Sequence, residues 1–162
     1  MSIKLNQIVI GDNNPFVLIA GPCVVENEKM IFETAMAIKQ IAADLDIPFI
    51  FKSSFKKANR TNLKSFTGLG DKESIAILKK VREQLNLSVV TDIHTESDVD
   101  MVVDAVDILQ IPAFLSRQTD LLIAAGKSGK VVNIKKGQFL APEDMKHAVD
   151  KVVSTENNKI ML

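Results

Sequence analysis

The sequence predicts an α/β fold built from parallel βα units, on three observations. Short apolar runs recur along the 162 residues, and each is followed by a longer amphipathic stretch. The apolar runs are continuous and do not alternate with polar residues, which is typical of strands covered on both faces. Polar residues gather directly behind each run. This rhythm indicates parallel pairing with right-handed crossovers, and two architectures have it: an open doubly wound sheet and part of a (β/α)8 barrel.

The order of the elements follows from these runs. Strands are predicted over residues 16–20, 49–52, 88–92, 106–111 and 131–135. Helices are predicted over residues 27–45, 72–86, 96–105 and 117–127, and a short β segment with a turn is expected near residues 9–15. Each of these helices lies between two strands, as a parallel crossover requires.

Local signals mark where several helices begin. The first helix carries apolar residues at steps of three and four, which places them on one face: Ile31, Ala35, Ile38 and Ala42. Thr95 with Asp98 three residues later is a variant of the capping box and predicts the start of the third helix. Pro142, followed by Glu143 and Asp144, fits the first turn of a fifth helix, where a missing N–H is harmless and negative charge meets the helix dipole.

The C-terminal residues favour the barrel over the open sheet. Residues 159–162, Lys-Ile-Met-Leu, are typical of a sixth strand just beginning, whereas an open sheet would more naturally end on a covering helix. A complete barrel of this kind needs about 250 residues. We therefore expect residues 1–162 to form a single domain, an incomplete barrel of about the first five βα units plus the start of strand six, truncated at the C-terminus. The alternative is a complete five-stranded fold with a ragged tail.

Charge and cysteine content argue against several classes of protein. Lys and Arg total 20 and Asp and Glu total 20, so the net charge is zero, which disfavours a general binder of nucleic acid or anionic membranes. No apolar run approaches the ~20 residues needed to cross a bilayer, and the N-terminus lacks a secretion signal. A single cysteine rules out an intrachain disulfide. We expect a cytoplasmic protein with no nucleic-acid partner and no membrane partner.

A cationic segment follows the second predicted strand. Five basic residues fall within thirteen positions that contain no Asp or Glu: Lys52, Lys56, Lys57, Arg60 and Lys64. Small polar residues suited to directed hydrogen bonds lie among them: Ser53, Ser54, Asn59 and Thr61. A buried strand that opens into such a loop favours a site for phosphate or carboxylate. A solvated lysine run is the plainer alternative.

Polar residues also follow the other predicted strands. They are Cys23 and Glu26 after the first strand, Asp92 and His94 after the third, Gln110 and Arg117 after the fourth, and Asn133, Lys135, Lys136 and Gln138 after the fifth. Ligands of parallel βα folds bind at the carboxyl ends of the strands. Since burying unpaired charge is costly, these cationic and amide groups predict one shared anion-binding cavity.

These residues resemble those of the 3-deoxy-manno-octulosonate 8-phosphate synthases. The matching segments are K-S-S-F-K-K-A-N-R-T at residues 52–61, T-D-I-H at 91–94, Q-I-P-A-F-L-S-R-Q-T-D at 110–120 and V-N-I-K-K-G-Q-F at 132–139. The likeness covers essentially the whole chain. The related 3-deoxy-heptulosonate 7-phosphate synthases share the barrel and the G-P-C turn, but typically show K-P-R-T-S where this chain has K-A-N-R-T-N.

The resemblance implies a transferase of lipopolysaccharide biosynthesis that condenses phosphoenolpyruvate with arabinose 5-phosphate and releases phosphate. It assigns catalytic roles to Lys52, Lys57, Asn59 and Lys135, and substrate binding to Ser54, Arg60, Asp92, Gln110, Ala113, Arg117 and Gln138. Lys52 and Lys135 would hold phosphoenolpyruvate with Gln110, while Ser54, Lys57, Asn59 and Arg60 would hold the sugar phosphate. The alternatives are a noncatalytic half-barrel that binds phosphosugars, or a 3-deoxy-heptulosonate 7-phosphate synthase.

The resemblance also implies a divalent metal ion and an oligomer. Metal-dependent members have cysteine in the G-P-C turn, so Cys23 is expected to be a metal ligand, with no nucleotide or organic cofactor. The other ligands of the family, a His, a Glu and an Asp, lie in later barrel strands than this chain supplies, so these 162 residues alone are expected to show little or no activity. Arg117 is expected to reach a neighbouring subunit's site in a homotetramer.

Overall fold

A computed structural model describes residues 2–162, and the chain divides into two compact units, one ending at Thr91 and the other beginning at Asp92. The first unit contains β1 (Ile3–Leu5), β2 (Ile8–Ile10), β3 (Leu18–Ala20), α1 (Glu28–Asp44), β4 (Phe49–Lys52), α2 (Asp71–Gln84) and β5 (Ser88–Asp92), whose last residue opens the second unit. Strands β1 and β2 form an antiparallel hairpin, while β3, β4 and β5 pair in parallel in chain order.

The second unit continues the alternation. It contains α3 (Glu96–Val102), β6 (Ile108–Ile111), a 3-10 turn (Ala113–Leu115), α4 (Thr119–Lys127), β7 (Val131–Ile134), a second 3-10 turn (Pro142–Asp144), α5 (Met145–Val153) and β8 (Ile160–Met161). Strands β6, β7 and β8 pair in parallel in chain order. The predicted fold class is therefore confirmed, with parallel βα units of the (β/α)8 type preceded by a short β segment.

Helix α1 forms where its local signals predict it. The side chain of Asn27 accepts a hydrogen bond from the Met30 backbone N–H at 2.8 Å, which satisfies one of the unpaired donors of the first turn. Three of the four residues predicted on its apolar face are buried: Ile31, Ala35 and Ala42. The sequence pattern therefore identified both the start of this helix and the face that it packs into the core.

The predicted capping box is present at the start of α3. Asp98, almost completely buried, accepts hydrogen bonds at one carboxylate oxygen from the backbone N–H groups of His94 (2.7 Å) and Thr95 (3.1 Å). A buried carboxylate is stable only when its lone pairs are used. Asp98 therefore also orients the residues that follow β5.

Several element bounds differ from the prediction. Strand β3 begins at Leu18 because its pairing with β4 starts at the Leu18–Phe49 partners, and Phe16 is left 69% exposed. Strand β6 begins at Ile108 and not at residue 106, since its register with β7 starts at Ile108. Helix α3 ends at Val102, and Pro142 opens a 3-10 turn ahead of α5. The pairing register, which the apolar run does not encode, decides where these strands start.

A buried asparagine places β8 beside β7. The amide nitrogen of Asn157 donates to the backbone oxygens of Gly126 (3.0 Å) and Lys130 (2.9 Å), and its amide oxygen accepts from the Lys159 N–H at 3.0 Å. These bonds join the chain after α5 to the end of α4 and to the start of β7. The short strand β8 is thus held by the Asn157 side chain as well as by its backbone hydrogen bonds to β7. None of the helices formed by residues 2–162 is long and apolar enough to cross a membrane.

Candidate active-site residues

In the first unit, two lysines meet at one buried hydroxyl. Ser54 follows β4 and is fully buried, and its Oγ accepts hydrogen bonds from Lys52 Nζ at 2.8 Å and from Lys57 Nζ at 2.9 Å. Two ammonium groups on one oxygen repel each other, and the repulsion is weakly screened where water is partly excluded. Anions bound beside these ammonium groups would reduce this repulsion. The arrangement is therefore suited to a phosphate or a carboxylate.

The backbone around Ser54 is fixed from both sides. The Val25 N–H donates to the Ser54 carbonyl at 3.0 Å, and the next residue, Phe55, donates its N–H to the buried Oγ1 of Thr91 at 3.0 Å. The G-P-C turn also passes very close to β4, because a Cβ added to Gly21 would lie 2.1 Å from the Lys52 carbonyl oxygen. The end of β4 therefore presents its lysine and serine from a rigid frame.

The rest of the cationic segment forms a loop that is tied to itself and to α2. The backbone N–H of Lys57 donates to the Thr67 carbonyl at 2.8 Å, and Arg60 Nε donates to the Phe66 carbonyl at 3.0 Å. Lys56 Nζ lies 3.3 Å from Asp71 and 4.9 Å from the centre of the Phe55 ring. Lys56 therefore stabilises the loop, whereas the side chain of Lys57 binds Ser54.

In the second unit, three polar side chains form a continuous hydrogen-bonded row. Gln110 Nε2 donates to Asp92 Oδ1 at 2.6 Å, and Asn133 Nδ2 donates to Gln110 Oε1 at 2.9 Å. Gln110 and Asn133 are direct partners in the β6–β7 register, and the Ile93 N–H donates to the Gln110 carbonyl at 2.9 Å. Asp92 is 7% and Gln110 9% exposed. The carboxyl ends of these strands thus carry an ordered, largely buried polar cluster.

Exposed cationic and polar residues follow the same strands. Lys135 comes directly after β7, is exposed, and its backbone N–H donates to the Ile111 carbonyl at 3.1 Å. Lys136 Nζ donates to the carbonyls of Gly137 (2.8 Å) and Leu140 (2.9 Å), so this ammonium group braces its own turn. Lys135 is therefore the cation after β7 that is better placed to meet a ligand.

Sequence comparison identifies the family. The sequence model of the family described as DAHP synthetase I matches residues 1–162. The chain belongs to the DAHP synthetase I family. Within this family it is similar to curated proteins named 2-dehydro-3-deoxyphosphooctonate aldolase, and the resemblance predicted from the motifs is confirmed.

Three of these relatives illustrate the extent of the likeness. The protein of Desulfatibacillum aliphaticivorans is 55% identical over 97% of this chain, that of Paraburkholderia xenovorans is 56% identical over 92%, and that of Syntrophotalea carbinolica is 52% identical over 99%. The aligned residues cover 58%, 52% and 58% of those proteins, respectively. The chain thus spans little more than half the length of these relatives.

The residues predicted from the resemblance to the 3-deoxy-manno-octulosonate 8-phosphate synthases fall into both units. Lys52, Ser54 and Lys57 are brought into contact, and so are Asp92 and Gln110. Within residues 2–162, the remaining predicted residues are exposed or partly exposed and make no side-chain hydrogen bond or ion pair with those groups: Cys23, Asn59, Arg60, Ala113, Arg117, Lys135 and Gln138. That all of them serve one cavity stays a prediction.

Two residues that sequence reasoning left without a role prove to be direct partners of the predicted ones. Thr91 holds the backbone next to Ser54, and Asn133 holds the amide of Gln110. The sequence marks Asn133 only as a polar residue after the fifth predicted strand, and Thr91 only as the first residue of the T-D-I-H segment. The signal that identifies Asn133 is the β6–β7 register, which pairs it with Gln110.

Cys23 does not complete a metal site with the residues described. Its thiol is free and exposed. Within residues 2–162, no three His, Cys, Asp or Glu side chains are grouped so that they could hold a metal ion. Metal sites in proteins need three or four ligands, so a single thiolate does not by itself bind an ion firmly.

Proposed function

We propose that the protein containing this chain condenses phosphoenolpyruvate with arabinose 5-phosphate and water to give 3-deoxy-manno-octulosonate 8-phosphate and inorganic phosphate. The relatives' name, 2-dehydro-3-deoxyphosphooctonate aldolase, denotes the same phosphorylated eight-carbon 3-deoxy acid. The observation that carries the proposal is the convergence of Lys52 Nζ and Lys57 Nζ on Ser54 Oγ. Both substrates carry phosphate, and one also carries a carboxylate.

The reaction forms one carbon–carbon bond and releases one phosphate. C3 of phosphoenolpyruvate attacks the aldehyde carbon of the sugar, and the aldehyde oxygen takes a proton and becomes a hydroxyl group. Water adds at C2, phosphate leaves, and C2 becomes the keto carbon of the product. The main demand on the protein is to hold several negative charges together in the correct orientation, which positioned cations do without further reorganisation.

We assign the binding roles by position in the motifs. Lys52 and Lys135 hold phosphoenolpyruvate, with the amide of Gln110 and the backbone at Ala113. Lys57 and Ser54 bind the sugar phosphate together with Asn59 and Arg60. Asp92 and Gln138 complete the polar lining. In this scheme the Ser54 hydroxyl lies between the two ammonium groups. Lys52 Nζ binds phosphoenolpyruvate, and Lys57 Nζ binds the sugar phosphate.

The assembly and location are part of the same proposal. Arg117 is exposed, and its backbone carbonyl accepts a hydrogen bond from Lys151 Nζ at 2.9 Å, while its guanidinium has no partner among the residues that the structure describes. An exposed guanidinium can reach the site of a neighbouring subunit in a homotetramer. Both substrates are small phosphorylated metabolites, which fits a cytoplasmic enzyme of lipopolysaccharide biosynthesis.

The central test is phosphate release by the complete protein. We expect release of phosphate from phosphoenolpyruvate that depends on arabinose 5-phosphate, with one eight-carbon product per phosphate, measured by a colorimetric assay and mass spectrometry. Erythrose 4-phosphate is the matched control, because a four-carbon aldehyde gives the seven-carbon product. Turnover with erythrose 4-phosphate but not with arabinose 5-phosphate assigns the related heptulosonate activity instead. Binding of both substrates in a calorimeter without any turnover identifies a noncatalytic phosphosugar binder.

We further propose that Cys23 contributes one thiolate ligand to a divalent ion in the complete protein. A divalent ion at this position would orient the aldehyde oxygen or activate the water, and no step above depends on it. We expect the purified parent to contain about one equivalent of metal and Cys23→Ser to contain much less, measured by elemental mass spectrometry. Circular dichroism controls for folding. Equal metal content in both proteins contradicts the assignment.

A further inference from the structure

The row formed by Asp92, Gln110 and Asn133 has a direction. A carboxylate only accepts hydrogen bonds, so the end of the Gln110 amide that faces Asp92 must be the NH2 group, and this contact is short at 2.6 Å. The carbonyl end of the same amide then faces Asn133, which offers its own NH2 group at 2.9 Å. Both contacts of the row therefore pair a donor with an acceptor.

The Asp92 carboxylate excludes the opposite orientation of the Gln110 amide. Turning the amide over would set its oxygen against a carboxylate that has no donor to offer, while the hydrogen bond from Asn133 holds the carbonyl end in place. Backbone pairing fixes both neighbours of this amide. Asn133 is the register partner of Gln110, and Ile93, the residue next to Asp92, donates its N–H to the Gln110 carbonyl. Losing the donor at position 133 would leave the buried Oε1 without its partner and the carbonyl end of the amide without its anchor.

The fixed orientation leaves one N–H of Gln110 Nε2 without an acceptor among the residues described, since Asp92 accepts the other. We propose that Asn133 is a positioning residue, which holds the Gln110 amide so that this remaining N–H is aimed at an anionic oxygen of phosphoenolpyruvate. This rests on the proposed function, in which Gln110 assists the binding of that substrate. Asn133 acts through Gln110 and makes no contact with the substrate itself.

The test is Asn133→Leu in the complete protein, with Asn133→Asp as a second variant. Leucine is apolar and of similar size, whereas Asn133→Asp keeps the shape and replaces the donor by an acceptor, so at least one variant should fold. We expect KM and the calorimetric Kd for phosphoenolpyruvate to rise by about tenfold, corresponding to the loss of one buried hydrogen bond. We expect the KM for arabinose 5-phosphate and kcat to change less than about twofold.

A double-mutant cycle separates positioning from a general loss of structure. In a Gln110→Leu background, the Asn133 substitutions should cause no further rise in the Kd for phosphoenolpyruvate, because the group that Asn133 orients is gone. Additive effects, or equal rises in both KM values, overturn the inference while the proposed function stands. A parent that binds phosphoenolpyruvate without turnover contradicts the proposed function, and the Kd cycle still decides the role of Asn133. A parent that does not bind phosphoenolpyruvate overturns both.

Discussion

Lys57→Met in the complete protein is expected to lower kcat/KM for condensation by about 100- to 1,000-fold, the loss that follows removal of one positioned charged donor from an active site. Lys57 Nζ is one of two ammonium groups on the buried oxygen of Ser54. Methionine keeps the length of the side chain and removes the charge, so the sugar phosphate loses a cation while the packing stays similar. Steady-state rates with each substrate varied in turn measure the effect.

Lys64→Met is the matched control for that prediction. Lys64 belongs to the same cationic segment but is exposed. Its backbone N–H donates to the Asn62 side chain at 2.9 Å, and its ammonium group has no hydrogen-bond or ion-pair partner in the described part of the chain. A solvated lysine should change kcat/KM less than about twofold, since exposed charges interact weakly. Similar losses in the two variants would mean that the segment acts through its summed charge, as the plainer reading of a lysine run holds, and not through Ser54.

Gly21→Ala is expected to destabilise the protein by about 3 kcal/mol or more, at the upper end for overpacked sites. The added Cβ would lie 2.1 Å from the Lys52 carbonyl oxygen and 3.0 Å from the Phe51 ring. A backbone oxygen of β4 cannot rotate away as a side chain can, so β3 and β4 would have to separate at the point where they carry the G-P-C turn and Lys52. Urea denaturation followed by circular dichroism measures the loss.

Gly70→Ala separates steric overlap from backbone conformation. Gly21 and Gly70 both have a positive φ, +155° and +114° respectively, but at Gly70 no atom of the described residues lies within 4 Å of an added Cβ. Only the conformational strain should remain, about 1–2 kcal/mol. If the two substitutions destabilise the protein equally, the close approach of Gly21 to β4 is not what requires glycine at that position.

Much of the fold was predictable because local chemistry and tertiary environment agree in most elements. The continuous apolar run of β4 is buried at Phe49, Ile50 and Phe51, and the capping box at Thr95 starts α3 as predicted. The first strand of the N-terminal hairpin was not predicted. Ile3–Leu5 has only three residues, too few for any periodicity to stand out, and its pairing with Ile8–Ile10 is what makes it a strand.

The candidate site shows the same difference between local features, which were predictable, and tertiary contacts, which were not. The chemical groups at the carboxyl ends of the strands could be predicted from the sequence, because strand ends and residue types are local properties. Which of these groups contact one another depends on the folded structure. Lys57 and Lys52 share the oxygen of Ser54, whereas Lys56 pairs with Asp71.

The contact between Gln110 and Asn133 shows why the partners of polar side chains are not local properties of the sequence. The two residues are 23 positions apart, and they meet because β6 and β7 pair in one register, Gln110 opposite Asn133. A shift of that register by one residue would turn the Asn133 side chain to the other face of the sheet and break the contact. Residue types are encoded along the chain, but the partners of a polar side chain are set by how strands align.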